Sequence, residues 1–124
     1  MRILIADDNA AIRSCIGDLL SENSWDVCGE ACNGAEAVEK ARRLRPDLIL
    51  LDVSMPGADG MQIAGILRRD VPQTKIVIVS HHDLGNMLPE TDKALAHGFV
   101  DKVRMATDLP PTIRRLFPLT RTAP

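Results

Sequence analysis

Two short aliphatic runs end in carboxylate: Ile3-Leu4-Ile5-Ala6 is closed by the adjacent pair Asp7-Asp8, and Leu48-Ile49-Leu50-Leu51 by Asp52. Two further runs end in polar groups, Lys75 to Ser80 in a hydroxyl and Phe99 to Lys102 in an ammonium. Continuous apolar runs of about four to six residues mark strands covered on both faces, which lie parallel with their C-terminal ends along one edge. Ligands of open α/β sheets bind outside that edge. Carboxylates gathered there repel one another by roughly 4 kcal/mol per pair at about 4 Å and an effective dielectric of about 20, so they imply a cation among them. An all-oxygen set with no His or Cys alongside suits Mg²⁺ or Mn²⁺, which keep several waters and bind one or two carboxylates together with a phosphate.

The elements that must position these groups alternate five times between strand and helix signals. The first strand, Arg2 to Ala6, runs into Asn9, a good N-cap, after which Ile12, Cys15, Ile16, Leu19 and Leu20 recur on one helical face. A second strand over Trp25 to Ala31 precedes Asn33-Gly34 and a helix with Ala37, Val38, Ala41 and Leu44 inward, stopped before Pro46. Leu48 to Val53 is the third strand, and the turn-rich Ser54 to Gly60 leads to a helix over Met61 to Arg69 that turns Ile63, Ile66 and Leu67 inward. Lys75 to Ser80 is the fourth strand. Leu84 to His97 is expected to carry a fourth helix that is short, late or mobile, because Gly85 and Pro89 both penalise a helix interior, Pro by about 3 kcal/mol. After the fifth strand, Phe99 to Lys102, Asp108 is expected to cap a last helix with Pro110 and Pro111 at positions needing no amide proton. Five such units predict an α/β fold: a flavodoxin-like, doubly wound, five-stranded parallel sheet of order 2-1-3-4-5 with about five helices. Asp7, Asp8, Asp52, Ser80 and Lys102 then converge on one edge.

A chain of 124 residues is one domain, large enough to bury about two thirds of its unfolded surface. Residues 1–117 form the expected domain, and 118–124 have the composition of a tail or linker. The three cysteines, Cys15, Cys28 and Cys32, lack zinc spacing and read as reduced thiols of a cytoplasmic protein. No apolar stretch approaches the 18 or so residues of a membrane span, and no signal peptide precedes the first strand. A net charge of −2 gives no general attraction to nucleic acid. The basic clusters at residues 42–45, 68–69 and 114–115 each fall near a predicted helix end, where cations complement the helix dipole. With no Tyr, two Phe and one Trp, platforms for stacking bases or flavin rings are few.

The set Asp7, Asp8, Asp52, Ser80 and Lys102, together with the stretch Leu50-Leu51-Asp52-Val53-Ser54-Met55-Pro56-Gly57-Ala58-Asp59-Gly60, resembles the receiver domain of two-component response regulators from Arg2 to about Phe117. The resemblance implies that Asp52 is the phosphoacceptor, attacking a phosphohistidine to form an acyl phosphate. It implies a divalent cation held by Asp8 directly, by Asp7 mainly through water, by Asp52 and by the backbone carbonyl of Ser54. It casts Ser80 as the switch hydroxyl, Lys102 as the cation that pairs with the phosphoryl group, and Phe99 as the aromatic switch residue. Ser54 and His82 stand where the family tunes phosphoryl lifetime. The partners it implies are a sensor histidine kinase or phosphotransfer protein and a downstream effector, or an effector domain of the same protein, with a homodimer on phosphorylation as a further outcome. One departure is Val103, which follows Lys102 where many receivers have proline and a cis bond.

This reading makes the chain a phosphorelay module that works by binding and is not a turnover enzyme. Two alternatives stand beside it. The chain can be the input half of a helix-turn-helix transcriptional regulator, although the residues after Lys102 leave no room for a DNA reader. A Mg²⁺-dependent aspartyl-phosphate phosphatase of the haloacid-dehalogenase type places its two acids two apart after the first strand, whereas here they are adjacent. His81-His82-Asp83 suggests a metal site, but adjacent side chains on a loop diverge.

Overall fold

The computed structural model describes residues 1–55, 60–81 and 94–118. Its five strands are β1 (Arg2–Ala6), β2 (Asp26–Ala31), β3 (Leu48–Leu51), β4 (Lys75–Ser80) and β5 (Gly98–Asp101). They form one sheet of order β2-β1-β3-β4-β5, and every neighbouring pair is parallel. Four α-helices lie among the described residues: α1 (Ala10–Glu22), α2 (Gly34–Leu44), α3 (Gly60–Asp70) and α4 (Met105–Leu116). The expected helix over Leu84 to His97 lies outside the described residues up to residue 93, as do His82, Asp83, residues 56–59 and the tail from residue 119.

The sheet is sandwiched because its central strands β1, β3 and β4 are apolar on both faces. Ile3, Ile5, Leu48, Leu50, Val77, Val79 and Val100 turn to one side, against Ile16 and Leu20 of α1 and Leu109 and Ile113 of α4. The alternate residues Leu4, Ala6, Ile49, Leu51, Ile76 and Ile78 face α2 and α3 through Ala37, Val38, Ala41, Ile63, Ala64 and Leu67. Period-two alternation therefore feeds two cores at once, which is why the strands read as unbroken apolar runs.

The helix starts follow local chemistry. The Asn9 side chain accepts the amides of Ala11 and Ile12, and that of Asn33 accepts the amide of Glu36. Arg42 and Arg43, Arg68 and Arg69, and Arg114 and Arg115 occupy the last turns of α2, α3 and α4, where their charge opposes the helix dipole. On the predicted inward face of α1, Ile16 and Leu20 are buried, but Cys15 is exposed, and all three cysteines are free.

The last helix begins earlier than expected. A 3-10 turn over Lys102–Arg104 runs directly into α4 at Met105, so Asp108 lies within the first turn and pairs with Arg104 at 3.2 Å instead of capping the helix. Pro110 and Pro111 are thus interior residues. Pro110 is buried, and the Thr112 hydroxyl returns a 2.8 Å hydrogen bond to the carbonyl of Asp108. The fifth strand is likewise displaced by one residue, so that Lys102 opens the turn and does not close the strand.

Candidate functional site

Asp7 and Asp52 each follow the last residue of a central strand, and the sheet ladder still holds them. The Asp7 amide donates to the carbonyl of Ala31 at 3.0 Å and the Asp52 amide to that of Ala6 at 2.9 Å. Both residues are 1% exposed, whereas Asp8, on the loop into α1, is exposed. One carboxylate oxygen from each of Asp7, Asp8 and Asp52 lies within 4.8 Å of the other two.

Neighbouring groups fix the orientation of these acids. Asp7 Oδ1 accepts the amide of Asn9 at 2.9 Å, and Asp52 Oδ1 accepts both the amide and the hydroxyl of Ser54, at 2.9 and 2.7 Å. Lys102 Nζ lies 3.1 Å from Asp52 Oδ2, donating a hydrogen bond, and 2.8 Å from Asp7 Oδ2. Asp7 Oδ2 is a buried oxygen whose partner is this ammonium, held as an ion pair. Burial works against the Lys102 ammonium, but hydrogen bonding and charge from Asp7 and Asp52 outweigh it and raise its pKa above the usual lysine value.

A hard divalent cation fits this arrangement. The donors are oxygens only, they belong to separate segments, and one of them, Asp7 Oδ2, is buried with the Lys102 ammonium as its partner among the described residues. Among the described residues Lys102 is the cation paired with Asp7 and Asp52, which leaves net negative charge where those two carboxylates are buried.

The remaining expected residues divide by position. Ser80 ends β4 at 6% exposure, two residues beyond Ile78, which is paired with Leu51 next to Asp52. Phe99 pairs with Ile78 and is partly buried against the α2–α3 core, on the face opposite Val100. His81 follows Ser80, while its expected companions His82 and Asp83 are outside the described residues. No peptide bond among the described residues is cis, so Lys102-Val103 is trans.

Arg13 was not expected at the site. It donates to the backbone carbonyl of Asp7 at 2.7 Å and to Glu30 on β2 at 2.8 Å, bracing the acidic loop. The sequence signal was slight: one arginine on α1 beside the apolar stripe, with nothing in its spacing to select a backbone oxygen as its partner.

This parallel α/β sheet carries acids at the ends of two central strands with a lysine bridging them, and comparison with known proteins gives its family. Residues 3–114 match the model of the response regulator receiver domain, and the chain belongs to that family. It is 37% identical over 101 residues to the chemotaxis protein CheY of Thermotoga maritima, covering 82% of this chain and 84% of that protein. It is 34% identical to the response regulator protein VraR of Staphylococcus saprophyticus, covering 94% of this chain but only 56% of that protein. Among solved structures, the response regulator TrrA of Thermotoga maritima, in complex with Mg²⁺ and BeF, superposes with a TM-score of 0.84 at 28% identity, covering 94% of this chain and 98% of that one. The chain is a receiver domain of two-component phosphorelay signalling. Among the described residues no helix is long and apolar enough to cross a membrane.

Proposed function

We propose that Asp52 accepts a phosphoryl group from a phosphohistidine of a sensor kinase or phosphotransfer protein, with Mg²⁺ bound by Asp7, Asp8, Asp52 and the backbone carbonyl of Ser54. The observation that carries this reading is the meeting of three carboxylates within 4.8 Å, two of them bridged by Lys102. A bound divalent cation supplies neutralisation of phosphoryl charge. The work of the chain itself is alignment and charge balance, which is most of what phosphoryl transfer requires.

Asp52 is held by Ser54 on Oδ1 and by Lys102 on Oδ2, so its carboxylate has one orientation. Its oxygen forms the new P–O bond while the P–N bond of the donor breaks, and the electron pair leaves on the imidazole nitrogen, which takes up a proton. Lys102, on a flexible four-carbon stem, then pairs with the phosphoryl oxygens. Ser80 donates its hydroxyl to one of them. The modification adds nearly two negative charges beside these donors. Movement of Ser80 and repacking of Phe99, which is paired with Ile78 two residues before Ser80, carries the change to a partner-binding surface.

The partner is a downstream effector or an effector domain of the same protein; the regulators that extend well beyond this chain in length favour the second in some members. The domain works in the cytoplasm, by binding and without turnover of a substrate, and does not contact nucleic acid directly. Intact-mass measurement after treatment with acetyl phosphate and Mg²⁺ tests the assignment. One phosphoryl group is expected on the wild type and none on Asp52→Asn, with borohydride trapping locating the acyl phosphate at Asp52. Equal labelling of the two proteins refutes it.

A further inference from the structure

We infer that Asp101 is a positioning residue for Lys102, a role that rests on the function of Lys102 proposed above. The chain must change direction between β5 and α4, and Lys102 is the first residue past the strand. Its Cα–Cβ bond is therefore aimed by whatever holds that turn. Asp101 is the N-cap of the 3-10 turn, with extended backbone at φ −78° and ψ 130°, and its Oδ1 accepts the amide of Val103 at 2.9 Å. This Asx turn spans Lys102. The turn is closed from the other side by the backbone alone, through the Met105 amide on the Lys102 carbonyl, and α4 has no side-chain cap at Arg104.

Val103 supports the same assignment from the opposite direction. The residue is 83% exposed, so its contribution to the junction is its amide hydrogen, which a proline here would not possess. Asp101 is also anchored at its own backbone, because it is paired with Ser80 in the β4–β5 ladder. The carboxylate thus transmits the register of the sheet to Lys102, whose ammonium reaches Asp7 and Asp52 with a side chain 6% exposed. Asp101 does not belong to the cluster of Asp7, Asp8 and Asp52, so replacing it removes no carboxylate from that group.

Three variants separate the acceptor from the charge. Asp101→Asn keeps an oxygen in the Asx position without the charge, Asp101→Glu keeps the charge on a stem too long for that turn, and Asp101→Ala keeps neither. The first-order rate of Asp52 labelling by acetyl phosphate and Mg²⁺ is expected to fall about tenfold in Asp101→Ala and Asp101→Glu and to stay within about twofold of wild type in Asp101→Asn. Hydrogen exchange at the Val103 amide should quicken in the Ala and Glu variants only. Combined with Lys102→Ala, Asp101→Ala should cause no further loss, because the effect passes through the lysine. Normal labelling of Asp101→Ala overturns the proposal, as does a slow Asn variant beside a normal Glu variant, or additivity with Lys102→Ala. If the wild type fails to label, the reading of Asp52 falls instead, and the pattern of Val103 exchange still tests the Asp101 bond.

Discussion

Replacing Lys102 by Met should cost more than any other single change at the carboxylate-lined edge of the sheet when divalent ions are absent. Its ammonium stands 2.8 Å from Asp7 and 3.1 Å from Asp52, with the three side chains 6%, 2% and 1% exposed. At an effective dielectric of about 20, each attraction is worth roughly 5–6 kcal/mol, and the desolvation cost of the wild-type ammonium, which the Met variant does not bear, offsets part of that. Met fills most of the same volume, so cavity formation contributes little. What remains is the penalty of two buried carboxylates without a counter-charge, about 3–5 kcal/mol for a broken buried pair. Urea unfolding in EDTA near pH 7 measures it from the shift in midpoint at constant slope. Millimolar Mg²⁺ should then stabilise Lys102→Met by more than it stabilises wild type, because the ion takes over a charge that the ammonium otherwise balances. A variant within about 1 kcal/mol of wild type in EDTA, or one with no larger response to Mg²⁺, would refute the charge accounting, since about 1 kcal/mol is the ceiling of an exposed ion pair.

Further expectations concern other parts of the fold. Mg²⁺ binds only the folded chain in this scheme, so at ten times its Kd it should add about 1.4 kcal/mol and raise Tm in a thermal scan, a response absent from Asp8→Asn. Gly60→Ala would place a methyl 2.2 Å from Val53 Cα, a backbone atom that cannot move aside, and should lose about 2–3 kcal/mol or more in urea unfolding. Thr74 is fully buried and donates to the carbonyl of Pro46 at 2.7 Å; Thr74→Val should cost about 1–3 kcal/mol in the same measurement by stranding that oxygen. Burial, with Arg68 and Lys75 nearby, holds the His97 imidazole below its ordinary pKa, while its Nδ1 accepts the Ile76 amide at 3.0 Å. A depressed folded-state value means that its contribution is fully present above the unfolded value of about 6.5 and is lost as pH falls through the folded value. Wild type should therefore lose more stability than His97→Gln between pH 7.5 and pH 5, read from urea midpoints; parallel losses would show that His97 does not titrate in this way.

Much of the architecture could be read from local pattern. Runs such as Leu48–Leu51 and Ile76–Val79 are apolar at every position, which only a sheet covered on both faces can use, and that property carried the strand order and the placement of the acids at one edge. Asn9 and Asn33 announced the helices they cap because capping is chemistry between residues two or three apart. The start of α4 is not legible in this way, for the converse reason. Asp108 before two prolines looks like a cap in isolation, but the register is set upstream, where Asp101 turns the chain and lets the helix begin at Met105. Cys15 fits a helical stripe by spacing and is nevertheless exposed, since the core contacts of α1 centre on Ile16 and Leu20.

The candidate site divides along the same line. Residue order alone could nominate Asp7, Asp8, Asp52 and Lys102, because each closes or follows a strand and parallel strands share an edge. Which oxygens meet could not be inferred: the bridge from Lys102 to both Asp7 and Asp52, the burial of Asp7 Oδ2, the grip of Ser54 on Asp52 and the brace from Arg13 depend on distances set by the folded backbone. Side-chain type and periodicity are local quantities and survive in a one-dimensional reading. Coulomb energies and hydrogen bonds change steeply over an ångström, and separations of that size exist only after the strands have packed.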